Sequence, residues 1–490
     1  MKFLVYRRGK AAKDFALSGV YMFGVDSIPV RTSVRIRYKD GVIDCQRKTD
    51  ETVGISLLWP VDGFGKLMLS TTLLPERERP YILNVELARA KLMEITLKRE
   101  DWTLLEEDET FADLMRDARH LFVEAVRNIH DEAKAASLAD ESLKKALVYA
   151  EKLAEKYSET FLAARFRSRG LGRHSLGCRI DPGLMGNEVY SEKLFDMFGF
   201  VTVPICWREI EKVEGHYDFS KLDQCIMGMR GKKMAVCGGP LVRFAPEYLP
   251  QWLMEGDYSF DEIRDAAFKF VTNIVGRYVK KVHAWRVVSG INALNYFGFK
   301  FDQMIEVTRA LCLSAKAADK HSRRIVDVLN LWGEYYSREK DTSPPMVYAD
   351  TLVQSAVSFD AFGIEMNFGS PASGMHVRDM MQISSKLDEF SMMAKPVHVC
   401  SVSVPSEYHE SDELAGIWHR KWDQGLQSRW AEQFYKAALG RSFVSTVTWG
   451  DLADADGTIV PTGGLLDEKM GPKKIYKSVG KIQKLIGKKS

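Results

Sequence analysis

Two glutamates stand in settings that suit acid/base or sugar chemistry. Glu334 lies in Leu331-Trp332-Gly333-Glu334-Tyr335-Tyr336, and Glu365 in Phe362-Gly363-Ile364-Glu365-Met366-Asn367. Apolar sugar faces stack on aromatic rings while carboxylates bind hydroxyls, so Trp332 and Tyr335 beside Glu334 have the composition of a sugar site. If 361–367 is a strand, alternation places Gly363, Glu365 and Asn367 on one face. A buried glutamate there is charged only when paired, and Arg243, Arg286 or Arg324 could supply the partner. Glu365 therefore reads equally as an ion-pair member and as a site residue. Further acids follow strand-like runs at Glu209, Glu211, Glu407, Asp451 and Asp454.

Other chemistries lack their residues. Seven cysteines lie far apart with no CxxC, and ten histidines include no HxH or HExxH. No metal site is expected. There is no GxGxxG and no GxxxxGK[ST], so no cofactor is expected either. His398, on an apolar strand, reads as a satisfied core histidine. With 69 Lys+Arg against 66 Asp+Glu the net charge is only +3, which speaks against a nucleic-acid partner. The basic tail (Lys473, Lys474, Lys477, Lys481, Lys484, Lys488, Lys489) reads as a solvated helix face. No apolar run reaches the ~18–20 residues needed to span a bilayer, so no membrane partner is expected. The start, Met1-Lys2-Phe3-Leu4 followed by Arg7, Arg8 and Lys10, has no apolar signal-peptide segment; a cytoplasmic location is expected. Oligomeric state is not legible.

The elements that must position these residues fall into three stretches. Residues 1–104 alternate as in a small β-sandwich, with a hairpin around Lys39-Asp40-Gly41. Residues 105–168 change to a helical period, as in Phe111, Leu114, Met115, Ala118, Leu121, Phe122 and Val126, and form a connector. Residues 169–490 alternate strand-like runs (176–180, 201–205, 234–242, 282–289, 324–330, 361–367, 397–404 and 444–449) with helical ones such as 260–278 and 301–318. Eight such pairs predict an α/β fold, a closed (β/α)8 TIM barrel, whose function should sit at the C-terminal ends of the strands.

Those ends carry a pattern. After strand two come Trp207, Glu211, Gly215, Tyr217 and Phe219. After strand three come Gly238-Gly239-Pro240-Leu241-Val242-Arg243 and Pro250-Gln251-Trp252-Leu253. Strand four is Trp285-Arg286-Val287-Val288-Ser289-Gly290, and strand eight ends Trp449-Gly450-Asp451-Leu452-Ala453-Asp454. In this order and spacing, the barrel resembles the endo-β-1,4-xylanases of glycoside hydrolase family 10. The resemblance implies a glycan substrate or ligand. It makes Trp449 a candidate for sugar stacking and Asn367 a pocket-facing residue; from their own settings Arg243, Trp332, Tyr335 and Asp451 are further binding candidates. Trp207 and Trp285 read as core packing, and Glu211 as structural.

The departures are at the chemistry. The family's acid/base glutamate aligns with Gly290 and its nucleophile with Ser401, inside Cys400-Ser401-Val402-Ser403. The histidine and lysine that hold the sugar align with Gly239 and Cys206. Retaining hydrolysis requires two carboxyls ~5–5.5 Å apart, and inversion requires ~6.5–9.5 Å; glycine and serine supply neither. Two readings follow. One is a glycoside hydrolase with a relocated pair, Glu334 and Glu365, as catalytic residues. The other is an inactive relative that binds a glycan or a partner protein, with the N-terminal domain as a carbohydrate-binding or accessory module.

Overall fold

The computed structural model describes residues 1–31, 34–48, 50–102, 109–168, 170–229, 231–232 and 234–487. The beginning of the expected connector (105–108) and the tail residues Lys488 and Lys489 lie outside the described residues.

Eight parallel strands close into a barrel in chain order: Leu176–Arg179, Phe200–Val203, Ala235–Gly238, Ala284–Ser289, Arg323–Val328, Ala361–Asn367, Val397–Ser403 and Val444–Trp449. We call them strands one to eight. Most of their residues are buried whichever way they point, because the inner face packs on itself and the outer face on helices. The sixth and eighth strands match their expected bounds. The third ends four residues early, since Gly239 adopts φ +130 and Pro240 has no amide to donate. Pairing then resumes through Leu241 and Val242, whose amides donate to the carbonyls of Arg286 and Val287 at 2.7 and 3.1 Å.

Ahead of the barrel stand two four-stranded sheets. The first runs Arg35–Lys39, Val42–Gln46, Lys2–Leu4, Tyr81–Ile82 in spatial order. Its hairpin turns on Asp40 and Gly41, at φ +49 and +85, the pair of positive values that a two-residue turn between twisted strands needs. The second sheet runs Ile417–Trp418, Gly65–Ser70, Gly54–Val61, Tyr21–Phe23. Its first member comes from the loop after strand seven of the barrel, so the barrel contributes an edge strand to the N-terminal sheet.

Three helices follow: Leu83–Asp101, Glu109–Arg127 and Glu132–Arg167. The first begins some twenty residues before the expected change of period. Its amphipathic pattern is hidden because Asn84, Glu86 and Lys91 are buried along with its apolar residues. Lys91 is satisfied by Asp379 at 2.7 Å and Glu94 at 2.6 Å. The third helix lies against the barrel's outer helices, where Arg165 Nη1 donates to the carbonyls of Leu439 and Arg441 at 2.9 and 2.6 Å.

The closing helix, Lys474–Gly487, exposes Lys474, Lys477, Lys481 and Lys484. Lys473 departs from the expected solvated face. It is buried, ion-paired with Asp454 and bonded to Ser406 and Thr462. Among the described residues no helix is long and apolar enough to cross a membrane.

Candidate active site

Strand six places Gly363, Glu365 and Asn367 toward the barrel mouth, and Glu365 meets two guanidinium groups there. Its Oε1 accepts from Arg243 Nη2 at 2.9 Å and from Arg286 Nη2 at 2.6 Å. Arg286 also donates through Nε to Asp327 Oδ2 at 2.7 Å. Gly363 is required beside them, because a Cβ at 363 would overlap Asp327. Burial by itself would push the Glu365 carboxyl up; Arg243 and Arg286 outweigh it and hold it at about 2. Glu365 Oε2 has no protein partner among the described residues. Around it, Ser289 accepts from Arg243 at 2.8 Å, and Ser401 donates to Asn367 Oδ1 at 2.9 Å.

The two positions that carry the xylanase carboxyls are filled differently. Gly290 sits at φ +70 with Leu329 packed over it; a Cβ would lie 2.6 Å from Leu329 Cγ. Ser401 is buried against Asn367. At the sugar-holding positions, Gly239 lies under Arg286, and Cys206 donates to the carbonyl of Glu247 at 3.5 Å.

Glu334 belongs to a separate network. It opens a short 3-10 turn after strand five and is 2% exposed. Its Oε2 accepts from the amide of Gly374 at 2.9 Å and bonds His376 Nδ1 at 3.0 Å; its Oε1 accepts from Arg378 at 2.5 Å. Burial raises this carboxyl, but His376, Arg378 and the Gly374 amide together hold it at about 2. Arg378 lies 4.2 Å over the ring of Trp332. Tyr335 is buried, accepts from Asn292 at 2.6 Å and donates to the carbonyl of Ser343 at 2.5 Å, which ties the loops after strands four and five together. N-terminal residues border this network: Pro29 lies beside Gly333, and a Cβ at Gly19 would meet the His376 ring.

A third group lies at the ends of strands one, two and eight. Asp451 pairs with Arg179 and accepts from the amide of Ile459 at 2.9 Å. Burial raises the Asp451 carboxyl against the pull of Arg179. The two residues border a cavity of about 140 Å³. Trp449 is 0% exposed and donates to the carbonyl of Gly463 at 2.9 Å, with Tyr435 stacked against it. No face of its ring is open to stack a sugar, so here it packs the barrel.

The expected site residues thus divide. Glu365, Arg243 and Asn367 come together at the mouth; Glu334, Trp332 and Tyr335 lie under the N-terminal sheets; Asp451 lines the cavity. Arg286 was foreseen only as a possible ion partner, and Asp327, Arg179, His376 and Arg378 were missed. Arg286 carried a signal, since it is a charged residue inside the otherwise uncharged strand Ala284–Ser289. His398 also differs from expectation. It is buried, yet neither ring nitrogen has a hydrogen-bond partner among the described residues, and burial pulls it down to about 4. Glu211 accepts from Trp207 Nε1 at 2.6 Å and from the amide of Gly215 at 2.9 Å, a packing role. No group of three or more metal-ligating side chains is assembled among the described residues.

Known structures share this barrel. The GH10 protein of Paenibacillus barcinonensis is 16% identical, over 66% of this chain and 97% of its own, with a TM-score of 0.50. Native xylanase 10B of Thermotoga maritima gives the same identity, coverage and TM-score. A xylanase 10C mutant of Cellvibrio japonicus in complex with xylopentaose is 13% identical, over 63% of this chain and 66% of its own, with a TM-score of 0.50. At such identities these structures speak to the fold alone. No curated protein matches the sequence. The family profile described as glycosyl hydrolase family 10 matches residues 166–482, well over half the chain. From that match and the closed eight-stranded barrel, the chain belongs to glycosyl hydrolase family 10.

Proposed function

We propose that this barrel binds a glycan without hydrolysing it. The observation that carries the reading is the state of its two candidate carboxyls. Glycoside hydrolysis needs one carboxyl that holds a proton at working pH. Glu334 is held at about 2 by His376, Arg378 and the Gly374 amide, and Glu365 at about 2 by Arg243 and Arg286. Both therefore stay ionised at neutral pH. The two also sit in separate networks, with no bond between them among the described residues. Gly290 and Ser401 add no carboxyl at the positions the xylanases use.

The mouth retains what sugar recognition needs. Glu365 offers an open acceptor oxygen, and Arg243 and Asn367 offer donors, a set that matches adjacent hydroxyls on a ring. The Cellvibrio relative was crystallised with xylopentaose, so xylo-oligosaccharides are the first ligands to test. The N-terminal sheets serve as an accessory wall for this mouth. Ser18 donates to the carbonyl of Leu414 at 2.7 Å, Met68 to Val377 at 2.8 Å and Arg31 to Glu339 at 2.9 Å. These bonds hold the loops after strands five, six and seven.

A glycan array read alongside a reducing-sugar assay tests the reading. Binding without release supports it, and release of reducing ends from any bound glycan contradicts it.

A further inference from the structure

The sheets wall one side of the mouth, over the loops after strands five to seven. A cavity lies at strands one, two and eight. There the loop after strand eight folds back on itself: Asp451 holds the Ile459 amide, Asp454 holds the Gly464 amide at 2.8 Å, and Trp449 holds the Gly463 carbonyl. The fold brings Asp456 and Thr458 to the lip of this half-open cavity of about 140 Å³, which Arg179, Asp181, Tyr190 and Asp451 also line.

Two properties of this cavity limit its occupant. Its volume is well below the ~300–1,000 Å³ of sites for drug-sized ligands, so it admits one sugar ring and not a run of them. Its lining is rich in acceptors. Three carboxylates face one guanidinium, and Arg179 already donates to the Gly450 carbonyl at 2.9 Å and to Asp451. A matching ligand brings donors, as hydroxyls or an ammonium group, and an anionic sugar is repelled.

We propose that the Arg179–Asp451 cavity is an end pocket, which takes a single terminal sugar ring, neutral or amino-substituted. This rests on the glycan reading above and narrows it: the ligand is a chain end or a free monosaccharide, whereas an open cleft would grip the interior of a chain.

Saturation-transfer NMR and calorimetry with xylose, glucose, glucosamine, glucuronate, xylobiose and xylohexaose test it. At least one of the three uncharged or amino monosaccharides should bind. Glucuronate should bind at least tenfold more weakly than it. Affinity per molecule should change less than threefold from xylobiose to xylohexaose. Thr458→Trp fills the cavity from its lip and should reduce binding more than tenfold, with an unchanged circular-dichroism spectrum. Asp451→Asn should do the same if Thr458→Trp fails to fold. Affinity that climbs tenfold or more with chain length, or that both variants leave intact, overturns the pocket. Silence on the monosaccharides with longer glycans bound on the array also overturns it, but leaves the glycan reading standing. Silence on both overturns both.

Discussion

Arg286 and Asp327 form an ion pair at the floor of the barrel mouth, Nε to Oδ2 at 2.7 Å, with both side chains buried. Arg286 reaches onward from this pair to Glu365 at 2.6 Å. One guanidinium thus holds both the Asp327 carboxylate beneath the mouth and the Glu365 carboxylate above it.

Arg286→Leu should destabilise the protein by about 3–5 kcal/mol, because it strands Asp327 as a buried, unpaired charge. Denaturant unfolding measures this. The double variant Arg286→Leu/Asp327→Leu should recover most of the loss. A single variant as stable as the wild type would contradict the pairing.

Acid should unfold the protein through Glu334 and Glu365. Burial opposes their ionisation, but His376 and Arg378 at Glu334, and Arg243 and Arg286 at Glu365, outweigh it, so the folded values lie at about 2 against an ordinary 4.5. Since the folded values are depressed, the stability they supply is complete above about 4.5 and is lost as pH falls toward 2. Each contributes on the order of 3 kcal/mol over that window. Asp140, raised by burial to about 6, acts with the opposite sign at higher pH. Urea unfolding between pH 5 and 2.5 should show a shallower pH dependence in Glu334→Gln than in the wild type.

Gly65→Val should free the loop after strand seven. Gly65 has φ +77, and a side chain there would collide with the Ile417 carbonyl. The edge strand Ile417–Trp418 would then lose its pairing with the N-terminal sheet. Limited proteolysis should cut between residues 404 and 424 faster than in the wild type, with a stability loss of about 1–3 kcal/mol from the strained backbone.

Restoring the xylanase carboxyls should not restore hydrolysis. A glutamate at 290 needs an unfavourable φ of +70 and displaces Leu329. A glutamate at 401 enters a buried position beside Asn367. Gly290→Glu/Ser401→Glu should be less stable than the wild type by calorimetry and show no reducing-sugar release.

The barrel was legible because its strands are apolar on both faces and its helices keep a 3.6-residue period; residues 361–367 and 444–449 match to the residue. The helix from Leu83 was not, since Asn84 and Lys91 find polar partners in distant segments. The edge strand Ile417–Trp418 was equally hidden. Two residues carry no period, and their partner lies some 350 positions away. At the site, the sequence offered Glu365 equally as a paired carboxylate and as a site residue, with Arg243, Arg286 or Arg324 as partner; Arg243 and Arg286 take that place, while Arg324 pairs with Asp360 at 2.7 Å. The sequence placed Glu334 and Tyr335 at a sugar site because aromatic neighbours look alike whether they face a ligand or a domain contact. Trp449 shows the same ambiguity, settled by its burial.

Binding without cleavage is a statement about the glycan's fate. Its most direct test is chromatographic analysis of a glycan that the protein binds, after prolonged incubation with the wild type. The glycan should be recovered intact, with no new reducing ends. Cleavage products that vanish in Glu334→Gln or Glu365→Gln, with the variants still folded, would contradict it.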